Sequence, residues 1–357
     1  MDGDYGYANA RIRAMKSRLL NGRAYDELLA ATRLDDMLEV LAGTAYKAEI
    51  EAALVKYGGM QCVTEALRRN VAHTIGKIKT FFDGRPRERV ARLLTRWDLF
   101  NLITMLRGQA RGIAADDILD TLVPAGELTE VELRELAQQP NMRATADVML
   151  AWHLPYAKPL ARALATFGAA DVLHLETRLY QWHYHEALAG LSNDANDTLL
   201  REMLHAEIDV ANLATLLRLC RLRDHATQLQ ARYGVPDATP LLISDGGLPR
   251  WMLEELSTAT NVAALVRGLS GTPYAACLAD RLETYRQSGD LTALLRGLEE
   301  FLVRKGVGML HRDPLSIAIP IGYFSAKMNE VANVRLIAQG KVLGLDRDVI
   351  ESDLRRI

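Results

Sequence analysis

One phrase occurs three times in this chain: DLFNLITMLRG from residue 98, DVANLATLLRL from 209 and EVANVRLIAQG from 330, so the copies lie 111 and 121 residues apart. Recurrence at a long fixed period means that one supersecondary unit has been written repeatedly, and it restricts the fold more than any single motif. The first copy places Leu99, Leu102, Ile103 and Leu106 at i, i+3, i+4 and i+7, one apolar stripe of a helix. Val210, Leu213, Ala214 and Leu217 repeat the stripe, and Val331, Val334 and Ala338 keep its phase around Arg335.

A second phrase supports the register. LAGTAYKAEI (41–50) matches LSGTPYAACL (269–278), and LAWHLPYAKPL (150–160) is a looser copy with one extra residue. Their tyrosines, Tyr46, Tyr156 and Tyr274, precede the acid of the next phrase by 52, 53 and 56 residues. Gly112 and Gly344 each stand 14 residues after their acid and read as helix stops before an acidic helix start. PAGELTEVELRELA (124–137) parallels SDGGLPRWMLEELS (244–257). The expected division is three helical units, 1–112, 113–224 and 225–357, with the most loop-like junction near Pro236, Pro240 and Asp245-Gly246-Gly247.

The other segments agree on helix. ARIRAMKSRLL, DDMLEVLA, ERVARLLTRW, LHLETRLYQWHYHEALAGL, NDTLLREMLHAEID and LRGLEEFLVRKG all carry helical periodicity, and strand alternation is scarce. Aromatics make up 6% of a chain rich in Leu, Ala, Arg and Glu. The fold class expected is all-α, with about five to seven helices per unit.

In each phrase the acid and the amide stand three apart: Asp98 and Asn101, Asp209 and Asn212, Glu330 and Asn333. They share one helix face and read as a buried polar pair that ties each helix to its neighbour, or as the lining of a shared surface. Arg107 and Arg218 lie nine residues past their acids, about 180° around the helix. Near the N-terminus, Arg11, Arg13, Lys16, Arg18 and Arg23 occur with no acid between 5 and 23, a solvated basic face or a contact for lipid headgroups or an acidic partner.

Other chemistry finds little support. With 43 basic and 45 acidic residues the net charge is −2, which argues against a nucleic-acid binder. No phosphate-binding G-x-x-x-x-G-K-[ST] loop occurs, and Gly340-Lys341 is followed by Val342. His174, His183 and His185, with Glu176 and Glu186, form the one histidine-rich group, but His183 and His185 point about 200° apart on a helix. No metal, cofactor or catalytic residue is expected. Cys62, Cys220 and Cys277 are isolated, which suits a reducing compartment. The opening residues lack the apolar run of a signal peptide. PLSIAIPIGYFSA (314–326) is too short to span a membrane.

Taken together, YGYANARIRAMKSRLL (5–20), RWDLFNLITMLRG (96–108), AEIDVANLATLLRL (206–219) and KMNEVANVRLIAQGK (327–341) resemble the C subunit of the bacterial and archaeal V/A-type rotary ATPases, which is similar to the d subunit of the eukaryotic vacuolar enzyme. The resemblance runs over essentially the whole chain. It implies a funnel of three similar helical domains about a pseudo-threefold axis. It implies a non-catalytic rotor part, a single copy per complex, on the cytoplasmic mouth of the membrane proteolipid ring. Its partners would be that ring and the central shaft formed by the D and F subunits, with torque passed between them for proton or sodium transport. The rival readings are a freestanding α-helical repeat scaffold and, in the 174–186 region, a metal-dependent hydrolase.

Overall fold

The computed structural model describes residues 4–220, 227, 229–231 and 234–356. All regular secondary structure among them is helical. The first helix, α1 (Gly6–Lys16), is followed by α2 (Gly22–Ala30), α3 (Leu34–Ala42), α4 (Lys47–Leu54), α5 (Gly59–Lys79), α6 (Gly84–Ala110) and α7 (Ala115–Leu119). The same order, two short helices, a third, two longer ones, then recurs. It gives α8 (Glu130–Ala137), α9 (Met142–Ala151), α10 (Ala157–Phe167), α11 (Val172–Ala189) and α12 (Ala195–Leu219). After a 3₁₀ turn at Thr239–Leu241 come α13 (Arg250–Ser257), α14 (Val262–Gly268), α15 (Ala275–Ser288), α16 (Thr292–Gly308), α17 (Ala318–Val342) and α18 (Arg347–Asp353).

Local chemistry starts and stops these helices at matching places. Asn141 and Asn261 cap α9 and α14 by accepting the amides of Ala144 and Ala264. The equivalent start of α3 is capped in reverse, with Asp36 accepting the amide of Arg33. Gly112 and Gly344 both adopt φ of +66°, the left-handed conformation that glycine tolerates. Past them, the amide of Ile113 returns to the carbonyl of Gly108 and that of Leu345 to Gly340, closing two like C-terminal caps.

The described residues form two compact units. One gathers those up to Gly108, Gly112–Gln138 and those from Gly306 onward; the other holds Gln109–Arg111 and Gln139–Lys305. In the first, α17 packs against α1, α3, α5 and α18. Ile12, Met37, Leu41, Ile75, Leu102, Ile319, Val334 and Ile337 are among its buried side chains. In the second, Leu213, Leu216, Leu217, Leu265, Leu269, Leu278, Leu294 and Leu298 form the core. The apolar stripes of the three phrases are thus core faces. Burying each leucine contributes about 2 kcal/mol.

One sequence expectation changes. The N-terminal helix stops at Lys16, so Arg18 lies in the following turn and Arg23 belongs to α2, whose separate start is capped by Asn21. The unit boundary expected at 224/225 lies outside the described residues.

Candidate functional site

The three phrases lie on α6, α12 and α17, the three longest helices among the described residues. Their asparagines make one and the same contact. The side-chain amide of Asn101 donates to the carbonyl of Val123 and its oxygen accepts the amide of Val123, both at 2.8 Å. Asn212 does this to Ile243, also at 2.8 Å twice. Asn333 does it to Arg355, at 3.0 and 3.1 Å. Asparagine carries a donor and an acceptor side by side, so it pairs with a peptide group as a strand edge would.

The acids hold a second point. Asp98 accepts the amides of Glu127 and Leu128 at 2.8 and 3.0 Å. Asp209 accepts the amide of Leu248 on both oxygens, at 3.0 and 3.1 Å. Glu330 accepts the amide of Leu20 at 2.5 Å. Each leucine directly precedes the residue that caps a short helix: Leu20 before α2, Leu128 before α8, Leu248 before α13. A carboxylate there faces the positive end of that helix.

A third point grips the other end. Eleven residues past its acid, each long helix carries a hydrogen donor. Gln109 donates to the carbonyl of Gln139, Cys220 to that of Ala259 at 3.7 Å, and Lys341 to those of Leu29 and Ala31. These carbonyls lie just at or past the C-termini of α8, α13 and α2, where backbone acceptors lack intrahelical partners. Eleven residues of helix span about 16 Å, enough to bracket a helix of eight or nine residues. Each long helix therefore clamps the short helix that opens the next copy, and α17 clamps the α2 of the first.

Glycine marks the closeness of the two aspartate clamps. A Cβ on Gly126 would collide with the carboxylate of Asp98, and one on Gly246 with that of Asp209. In the third clamp the acid is the longer glutamate, and Arg18 stands at the position of those glycines. One methylene of reach replaces the need for a bare backbone.

Two of the aligned tyrosines complete the acids. Tyr46 donates to Glu330 and Tyr274 to Asp209, both at 2.7 Å. Tyr156 shares a 2.8 Å hydrogen bond with Nδ1 of His183. Burial raises the tyrosine hydroxyls of Tyr46 and Tyr274 well above their ordinary range, with the neighbouring carboxylates adding to it. Burial also pushes Asp98 up to about 6, against the pull of the Glu127 and Leu128 amides and of Lys79. Asp209 shifts upward for the same reason. Glu330 additionally pairs with buried Lys327 at 2.7 Å.

The remaining residues singled out in the sequence fall elsewhere. Arg107 and Arg218 are exposed, away from the clamped side. Arg11, Arg13, Lys16 and Arg18 are exposed too; Arg11 bonds the Tyr7 hydroxyl at 2.7 Å and lies over the Phe81 ring. Arg335 is half-buried; its Nε is buried without a hydrogen-bond acceptor, and burial lowers its pKa. His174 bonds Asp171 at 2.7 Å, while His185 is exposed on the same helix. Among the described residues no group of three His, Cys, Asp or Glu could hold a metal ion. A polar cavity of about 320 Å³ in the first unit is lined by Glu65, Asp120, Glu130, Arg68 and Arg134, and Arg68 bridges Glu65 and Glu130 at 2.7 and 2.8 Å. Asp116 also lines it, so four acids face two arginines there, and among the described residues the ion pairs join only Glu65 and Glu130 to those arginines.

What this arrangement can do is hold helices together. The acids are enclosed by backbone donors and hydroxyls and are not aimed at an open cleft. No described helix is long and apolar enough to cross a membrane. Sequence similarity agrees with a structural part. A profile of the ATP synthase (C/AC39) subunit family matches residues 8–353. The A-type ATP synthase C subunit of Methanosarcina mazei is 29% identical over 353 residues, covering 98% of this chain and 92% of the relative. That of Methanosarcina acetivorans is 30% identical over 353 residues, with the same coverage. The V-type ATP synthase C subunit of Deinococcus radiodurans is 28% identical over 356 residues, covering 99% and 92%. The chain belongs to the ATP synthase (C/AC39) subunit family, a structural rather than catalytic component of the V/A-type rotary ATPases.

Proposed function

We propose that this chain is the rotor adaptor of a V/A-type ATPase, a socket that joins the shaft of D and F subunits to the proteolipid ring on the cytoplasmic side of the membrane. The observation that supports this best is the cycle of clamps: three long helices, each fixing both ends of the next copy's first helix, with α17 returning to α2. A part that passes torque needs stiffness between copies and no reaction centre. The chain then works as three units. The clamps favour boundaries just before Leu20, Leu128 and Leu248 over the divisions 1–112, 113–224 and 225–357 read from the phrases. The exposed basic residues Arg11, Arg13, Lys16 and Arg18 fit a place near anionic headgroups or an acidic partner.

Affinity purification of the tagged chain from detergent-solubilised native membranes, read by mass spectrometry, tests the reading. Recovery of a proteolipid together with the shaft and the catalytic head is expected. Recovery of soluble partners alone, from membranes whose rotary ATPase stays intact, would favour the freestanding scaffold.

A further inference from the structure

Helix α17 has a side that the fold leaves incompletely covered. Ser325, Met328, Ala332, Arg335, Gln339 and Val342 follow one another at intervals of three, four, three, four and three residues. That is the spacing of a helix seam. The first four are half-buried, Gln339 is exposed and Val342 is 58% exposed. Apolar residues are spread around the whole circumference of α17, the pattern of a helix covered on all sides.

Arg335 sits in the middle of this seam. Five residues past the acid, the other two copies have Ile103 and Ala214. Among the described residues the guanidinium has neither a carboxylate nor a hydrogen-bond acceptor, and its Nε is buried. A cation partly withdrawn from water without a counter-charge is unfavourable in the free chain. Its planar fork of donors matches a carboxylate.

We infer that this seam of α17 is a docking face for an α-helix of a partner protein, which brings an Asp or Glu side chain to Arg335. The three–four spacing calls for a helix. Serine and alanine at two of the six positions let a backbone approach closely. The lone cation calls for an acid at the centre of the contact. A lipid surface is the weaker fit, since the seam holds one positive charge among apolar and neutral side chains. The inference rests on the reading of the chain as one part of an assembly.

The test uses Arg335→Met and Arg335→Glu in the full chain, with a photo-crosslinking residue placed separately at Gln339. As isolated proteins, the methionine variant should melt at or above the wild-type temperature, because an unpaired cation has been removed. In recovery from native membranes, both variants should bind the complex more weakly by on the order of thirtyfold or more, the glutamate variant worst. The crosslink should land on a partner helix within a turn of an Asp or Glu. Variants that assemble as well as wild type overturn the docking face. So does a methionine variant whose melting temperature falls along with assembly, since Arg335 would then serve the fold, and so does a crosslink confined to lipid. If the wild-type chain recovers no partner at all, the rotor reading fails first and the docking face with it.

Discussion

The amide of Leu20 donates to the carboxylate of Glu330 at 2.5 Å across a separation of 310 residues. The same glutamate receives Tyr46 and Lys327, and Lys341 on the same helix holds the last carbonyls of α2. Glu330→Gln would leave Lys327, which is equally buried, facing a neutral amide. Denaturant unfolding should show a loss of about 3 kcal/mol. Lys341→Met should act more locally. Hydrogen exchange should speed up across Gly22–Ala30, with the amides of α12 unchanged.

The aspartate clamps depend on glycine and the glutamate clamp does not. Gly126→Ala forces a methyl group onto the carboxylate of Asp98. It should destabilise the protein by about 2 kcal/mol or more. Arg18→Ala, at the equivalent place beside Glu330, should fall within about 0.5 kcal/mol of wild type. In an Asp98→Ala background, Gly126→Ala should lose most of its effect, and thermal melts of the four proteins measure that coupling.

Asn101 is fully buried and spends both halves of its amide on Val123. Asn101→Ala removes two hydrogen bonds and leaves a buried peptide group unsatisfied, a loss of about 2–3 kcal/mol. Asn101→Asp keeps an acceptor for the Val123 amide but turns an oxygen toward the Val123 carbonyl. It should be at least as damaging at neutral pH and should recover in acid, which urea unfolding at two pH values would reveal.

Asp98 gives the clamp a pH dependence of unusual sign. Its carboxyl titrates at about 6 in the folded chain because burial disfavours the charge, against about 3.9 when unfolded. The folded state therefore binds the proton more tightly. The contribution of Asp98 is fully present below about pH 4 and is lost as pH rises toward and through about 6. Compared with Asp98→Asn, wild type should lose roughly 2 kcal/mol of relative stability over that window. A difference that stays flat from pH 4 to 7 would show that the Leu128 and Glu127 amides and Lys79 offset the burial.

Much of this arrangement is legible in the residues alone. The stripe of Leu99, Leu102, Ile103 and Leu106 has a helical period, and side-chain period survives divergence because burial enforces it. The asparagine and acid stand out in the phrase, but what they hold does not. Their partners are backbone groups of Val123, Leu128 and Leu20, which carry no side-chain signature. The third grip is hidden for another reason. Gln109, Cys220 and Lys341 share only the ability to donate a hydrogen, so alignment by residue type passes over them. The end of α1 at Lys16 is obscured by a run of helix-favouring residues across the turn, where the cap at Asn21 decides the break.

The clamp between α17 and α2 also sets an order of events. A ribosome delivers Leu20 and the whole of α2 long before it has made Glu330 and Lys341. Until then, the first copy's opening helix has its amide and terminal carbonyls open to water or to any passing acceptor and donor, while the two aspartate clamps can close behind the exit tunnel within shorter stretches of nascent chain. Closure at the third clamp thus waits until the last copy has been made. A messenger truncated before residue 330 would yield a product that never completes it.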